Sequence, residues 1–151
     1  MRPTILALDL EGTLISNAVS QIPRPGLSEF LCSVHDDFER LVLFTSVPEP
    51  RARSIVELLI REEHAPSWFS QLDFTQWHGA TKDLRFVTPE LGAALLLDDH
   101  AAYVHPGQER WWVHIPLFAS PYEACDQGLA QAVQNLRGRL AELQICDMRL
   151  R

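Results

Sequence analysis

Cysteine is scarce in this sequence and has no ready partner: Cys32, Cys125 and Cys146 are odd in number and far apart, with no Cys-x-x-Cys among them. That excludes a disulfide framework and a zinc knuckle. No run of about eighteen apolar residues occurs, and Asp9 and Glu11 interrupt the first apolar stretch, so neither a membrane span nor a secretory leader is expected. Positive charge is in deficit as well. Thirteen Lys and Arg stand against twenty Asp and Glu, a formal net charge of −7, which argues against extended nucleic-acid binding as the main purpose. No two histidines flank a glutamate at helical spacing, which disfavours a zinc-protease site. Internal repeats, linkers and low-complexity segments are missing too. What remains is 151 residues, 46% apolar and 22% charged, read as one domain over 1–151 able to bury a core unaided. The expected setting is cytoplasmic, without a membrane partner; the oligomeric state is unknown.

The chain is organised around Thr4 to Ser16. Ile5, Leu6, Ala7 and Leu8 form a short apolar run of the kind that makes a strand buried on both faces. Asp9 closes it, and Glu11, Gly12 and Thr13 follow. In an extended chain residues two apart share a side, so Asp9 and Glu11 are expected to present both carboxylates where the strand ends, before Gly12 lets the chain turn. The plainer reading is an Asx-type turn that merely ends a strand.

Further along, Leu14 to Pro25 reads as a loop, Ser28 to Phe38 as a helix, and Leu41 to Phe44 as a second strand ending in Thr45-Ser46. A helix is expected over Arg51 to Glu63 and a short strand around Leu72 to Phe74. His78 to Thr81 is a loop leading into Lys82. Ala93 to Leu97 is a third buried strand ending in Asp98-Asp99, and Trp111 to Ile115 a last one. Leu129, Val133, Leu136, Leu140 and Leu143 mark the stripe of an amphipathic helix over about 121–145. Alternation of this kind predicts an α/β fold, a Rossmann-like, doubly wound and mostly parallel sheet with helices on both faces. Ligands of such folds bind at the carboxyl ends of the strands. Three apolar runs end in chemistry there: Asp9 and Glu11, then Thr45, then Asp98 and Asp99.

Acids from two strand ends make an oxygen-lined pocket suited to Mg2+ as cofactor, with Asp9, Glu11, Asp98 and Asp99 as candidate ligands. The Thr45 hydroxyl, with Ser46 as a second candidate, and the Lys82 ammonium are groups able to hold phosphate oxygens. Asp9 can act as nucleophile on phosphorus, and Glu11 as general acid and base. His100, beside the acidic pair, is a further candidate for the pocket, and Tyr103 and His105 lie on a loop where substrate contacts are expected. Asp83 reads as a surface or helix-start acid.

These residues resemble the motifs of the haloacid-dehalogenase-like (HAD) phosphohydrolases: Asp9-Leu10-Glu11-Gly12-Thr13, Thr45, Lys82 and Asp98-Asp99, in the family's order. Within that superfamily the chain is most similar to the FCP/SCP branch, the NLI-interacting-factor-like protein phosphatases, through Arg24-Pro25-Gly26, Glu29-Phe30-Leu31, Val42 to Ser46 and Lys82-Asp83-Leu84. The resemblance implies a Mg2+-dependent phosphatase acting through an aspartyl-phosphate on Asp9. It also implies Asp99 as the metal ligand of the pair, with Asp98 in support. Two departures stand out: Glu11-Gly12 replaces the branch's Asp-Glu, and the loop before Pro25 is short. No cap domain fits between Thr13 and Lys82, so an open site is expected for a phosphorylated substrate, either a phosphoprotein or a small phosphate ester. The alternative is a weakly active or inactive module of the same fold that binds phosphate or a partner.

Overall fold

The computed structural model describes residues 2–150. Its elements are, in order, β1 (Ile5–Leu8), α1 (Leu27–Asp37), β2 (Arg40–Leu43), α2 (Glu49–Arg61), β3 (Asp73–Phe74), β4 (Ala94–Asp98), β5 (Trp112–His114) and α3 (Gly128–Arg149). The five strands form one parallel sheet in the order β3-β2-β1-β4-β5. β1 lies in the middle, and all four of its residues are buried, which is why its sequence is a continuous apolar run. From β1 the chain builds outward through β2 and β3, then crosses back to β4 and continues to β5. The ends of β1 and β4, with Leu8 level with Leu97, therefore flank the switch point where such sheets bind ligands.

Alternation along the strands sorts their side chains between two cores. Leu6, Leu8, Leu43 and Leu97 join Phe30, Leu31, Ile55, Leu59, Leu136 and Leu140 of the three helices. Ile5, Ala7, Val42, Phe44 and Leu96 form a smaller cluster on the other face, closed by Leu84 and packed against Trp77 and Trp112. Helical cover is thus uneven and departs from the expected α-helices on both faces: among the described residues three α-helices lie on one face, and the other is covered by the 3-10 turn Leu84–Phe86 and by indoles, Trp111 of a second 3-10 turn among them.

Several boundaries differ from the sequence reading, each for a local reason. α2 starts at Glu49, not Arg51, because Pro50 fits a first helical turn where its missing N–H has no partner to lose. Trp111 ends a 3-10 turn, Glu109–Trp111, so the last strand begins one residue later. The largest difference is in α3. Tyr122 takes a positive φ of 50°, which no helix accommodates, and the helix begins at Gly128 and runs past 145 to Arg149.

Candidate active site

Asp9 follows the last residue of β1, Asp98 ends β4, and Asp99 comes next. Because the two strands are neighbours, three carboxylates converge: one oxygen from each of Asp9, Asp98 and Asp99 lies within 4.8 Å of the others. Asp9 and Asp98 are buried, and Asp99 is half-buried.

Lys82 comes from the loop ahead of Leu84–Phe86. Its backbone N–H donates to the Tyr103 carbonyl at 2.6 Å, which pins the loop against the segment after β4. The side chain is fully buried, with Nζ 4.9 Å from the centre of the Tyr103 ring and 5.9 Å from that of Phe44. Nζ donates to Asp9 Oδ1 at 2.9 Å and to Asp98 Oδ2 at 2.5 Å. Burial dominates at both acids and holds them above the ordinary carboxylate range, Asp9 well above it, with the Lys82 ammonium opposing. Burial also acts against the charge on Lys82, but the two carboxylates more than reverse it and hold the ammonium above its usual range. Asp98 has one more partner, the His100 backbone N–H, at 2.9 Å from Oδ1.

The buried Thr13 hydroxyl lies 2.9 Å from Asp9 Oδ2 and 3.2 Å from Asp99 Oδ1, so one side chain spans the two acids. Gly12 makes this turn possible in two ways. Its φ of 76° is left-handed, and a Cβ there would sit 2.6 Å from Leu117 Cδ1 and 2.9 Å from Asp99 Oδ2.

Glu11 does not join the cluster. Its Oε2 accepts the Ala18 backbone N–H at 2.7 Å, and it is not among the three clustered carboxylates. The expectation that it shares a side with Asp9 assumed an extended chain; β1 ends at Leu8, and the backbone from Leu10 to Ile15 already folds back on itself, so the two-residue period no longer applies. Thr45 follows the end of β2, buried, its Oγ1 accepting from Val47 N at 3.1 Å and its carbonyl from Trp77 Nε1 at 2.8 Å. Ser46 beside it is exposed. Both line a cleft of about 240 Å³ with Pro48, Trp77 and His78. A larger cleft of about 530 Å³ lies between α1 and α3 and contains none of the carboxylates of the cluster. His100 is exposed, its ring against Tyr103. Asp83 caps the Leu84–Phe86 turn by accepting from Arg85 N.

A profile of the NLI interacting factor-like phosphatase family matches residues 4–149. The chain belongs to this family. It is a HAD-type phosphatase, a hydrolase of phosphoric monoesters, and the match runs from β1 through α3, across every residue of the site. A search of curated proteins gives no match. Phosphatases of this family generally use Mg2+. The donors fit that ion: three carboxyl groups supply hard oxygen ligands within 4.8 Å of one another, and the acids outnumber the Lys82 ammonium that touches two of them. No helix among the described residues is long and apolar enough to cross a membrane.

Several residues of this phosphatase site escaped the sequence reading. Thr13 stood inside the motif without a role. Arg24 stood in the Arg24-Pro25-Gly26 motif, also without a role; Trp77, which holds the Thr45 carbonyl, and Asp126, which pairs with Arg24, gave no signal, since their partners are distant in sequence.

Proposed function

We propose that this phosphatase works through a covalent intermediate on Asp9, with Mg2+ as cofactor. The observation that carries the reading is the Asp9 carboxylate, fixed between Lys82 and Thr13 beside Asp98 and Asp99. In the first step an Asp9 oxygen attacks phosphorus as the bond to the leaving oxygen breaks, and Glu11 gives that oxygen its proton. In the second step Glu11 takes a proton from water, which attacks phosphorus and releases inorganic phosphate and free Asp9. Thr45, Ser46 and Lys82 hold the phosphate oxygens; two protons of the Lys82 ammonium go to Asp9 and Asp98, leaving the third for the substrate. Asp9, Asp98 and Asp99 would hold Mg2+, which would neutralise phosphate charge. Glu11 is assigned the proton transfers and no metal, because it is not among the clustered carboxylates; its Oε2 accepts the Ala18 N–H, so Oε1 is the oxygen left to carry the proton.

Among the described residues no cap domain stands between β1 and β4, which suits a phosphoprotein as well as a small phosphate ester. Three free cysteines, all exposed, support a reducing, cytoplasmic setting. The test is hydrolysis of an aryl phosphate by wild type and Asp9→Asn, with and without Mg2+. Metal-dependent turnover that disappears in the variant supports the mechanism. Full activity in Asp9→Asn overturns it, and metal binding without turnover in either protein points to a phosphate- or partner-binding module.

A further inference from the structure

Arg24 lies outside the carboxylate cluster, yet it is a charged side chain only 1% exposed, and all three of its nitrogens donate. Its Nε donates to Asp126 Oδ1 at 2.8 Å and its Nη2 to Asp126 Oδ2 at 3.3 Å, a two-pronged pairing just ahead of α3. Its Nη1 points the other way, 3.4 Å from the Gly12 carbonyl and 3.3 Å from the Thr13 carbonyl. The guanidinium also stacks over Phe118, 5.4 Å from the ring centre, and Phe118 N–H donates to the same Gly12 carbonyl at 2.8 Å. Space is reserved for this one group: a Cβ at Gly128 would sit 2.1 Å from Arg24 Nη2.

A buried ion pair is a poor device for stability alone, because apolar side chains of similar volume do as well. A planar fork that reaches three partners in fixed directions is a good device for setting geometry. What it sets here is the turn whose Thr13 hydroxyl spans Asp9 and Asp99. We infer that Arg24 is a positioning residue: through Asp126 it anchors the Gly12-Thr13 turn to the start of α3, and so fixes the nucleophile Asp9 and the carboxylate of Asp99 relative to one another. The start of α3, more than a hundred residues from the motif, thereby belongs to the catalytic apparatus. The inference rests on the assignment of Asp9 and Asp99 made above. Lysine cannot replace Arg24, since a point charge that reaches Asp126 leaves the Thr13 carbonyl without a donor and the Gly12 carbonyl with the Phe118 N–H alone. Asp126 is charged as the pairing requires: burial acts to raise its carboxyl, but Arg24 and the Gly128 amide more than offset this and hold it low.

The test compares Arg24→Lys, Asp126→Asn and the double variant with wild type in the full chain. Folding is followed by circular dichroism, Mg2+ affinity by calorimetry, and kcat and KM with an aryl phosphate, all well below the melting temperature. Groups that orient a metal or catalytic site cost roughly 10- to 100-fold when removed. The expected result is a folded Arg24→Lys with kcat lowered by about that factor, KM within about twofold, and Mg2+ bound several-fold more weakly. Asp126→Asn gives a smaller loss, and the double variant is no worse than Arg24→Lys, because both act through one chain of contacts. Variants that melt earlier but keep wild-type kcat and Mg2+ affinity would reduce Arg24 to a structural role and overturn the inference. If wild type proves inactive while Mg2+ affinity still falls in both variants, the positioning role stands and the catalytic mechanism is what fails.

Discussion

Replacing Lys82 with Met tests how the carboxylates are held together. Methionine keeps much of the length and apolar bulk of the lysine stem and removes only the ammonium. In wild type that ammonium is fully buried, 2.9 Å from Asp9 and 2.5 Å from Asp98. Without it two buried carboxylates face each other uncompensated. Removing one partner of a buried charge pair costs about 3–5 kcal/mol, against a total stability of about 5–15 kcal/mol for an ordinary domain. A cation bound to the same acids restores part of the loss, about 2.7 kcal/mol at a hundred times its Kd. Urea unfolding with chelator and with excess Mg2+ therefore gives four numbers. The variant is expected to be about 3–5 kcal/mol less stable than wild type in chelator, and to gain more from Mg2+ than wild type does. A loss below about 1 kcal/mol in chelator would show that the buried pair does not behave as a charge pair at all. Equal gains from Mg2+ in the two proteins would show that the ion and Lys82 do not share the same carboxylates.

Gly12→Ala places a side chain at a left-handed residue, at a cost of about 1–2 kcal/mol, and drives its Cβ against Asp99. Weaker Mg2+ binding by calorimetry is expected in a folded protein; unchanged affinity would mean that Asp99 is not a ligand. Asp126 supplies a pH dependence. Its folded carboxyl titrates below its unfolded value of about 3.9, so its stabilising effect is complete above that value and is lost as the pH falls through the folded one. Asp126→Asn should thus be less stable than wild type at neutral pH, with the gap closing below about pH 4. A gap that persists unchanged into acid would mean that it does not come from the charge.

Local pattern made much of this protein legible. The run from Ile5 to Leu8 is uninterrupted because β1 is covered on both faces, and strand ends carry the chemistry because a parallel sheet directs its carboxyl ends to one edge. Asp9, Lys82, Asp98 and Asp99, which the structure brings together, stood out for the same reason: each is just past or at the end of an apolar run, or in the motif order of a known family. Glu11 shows where that reasoning stops. The two-residue period that paired it with Asp9 holds only while the chain is extended, and hydrogen bonds within the turn decided that β1 ends at Leu8. The start of α3 was misplaced because leucine spacing marks a buried stripe but not the backbone dihedral at Tyr122. Only the tertiary structure joined Arg24 to Asp126, Thr13 to Asp99 and Trp77 to Thr45, partners 102, 86 and 32 residues apart. Periodicity records which side of an element is buried; it holds no record of which distant side chain lies there, because that depends on how the elements pack.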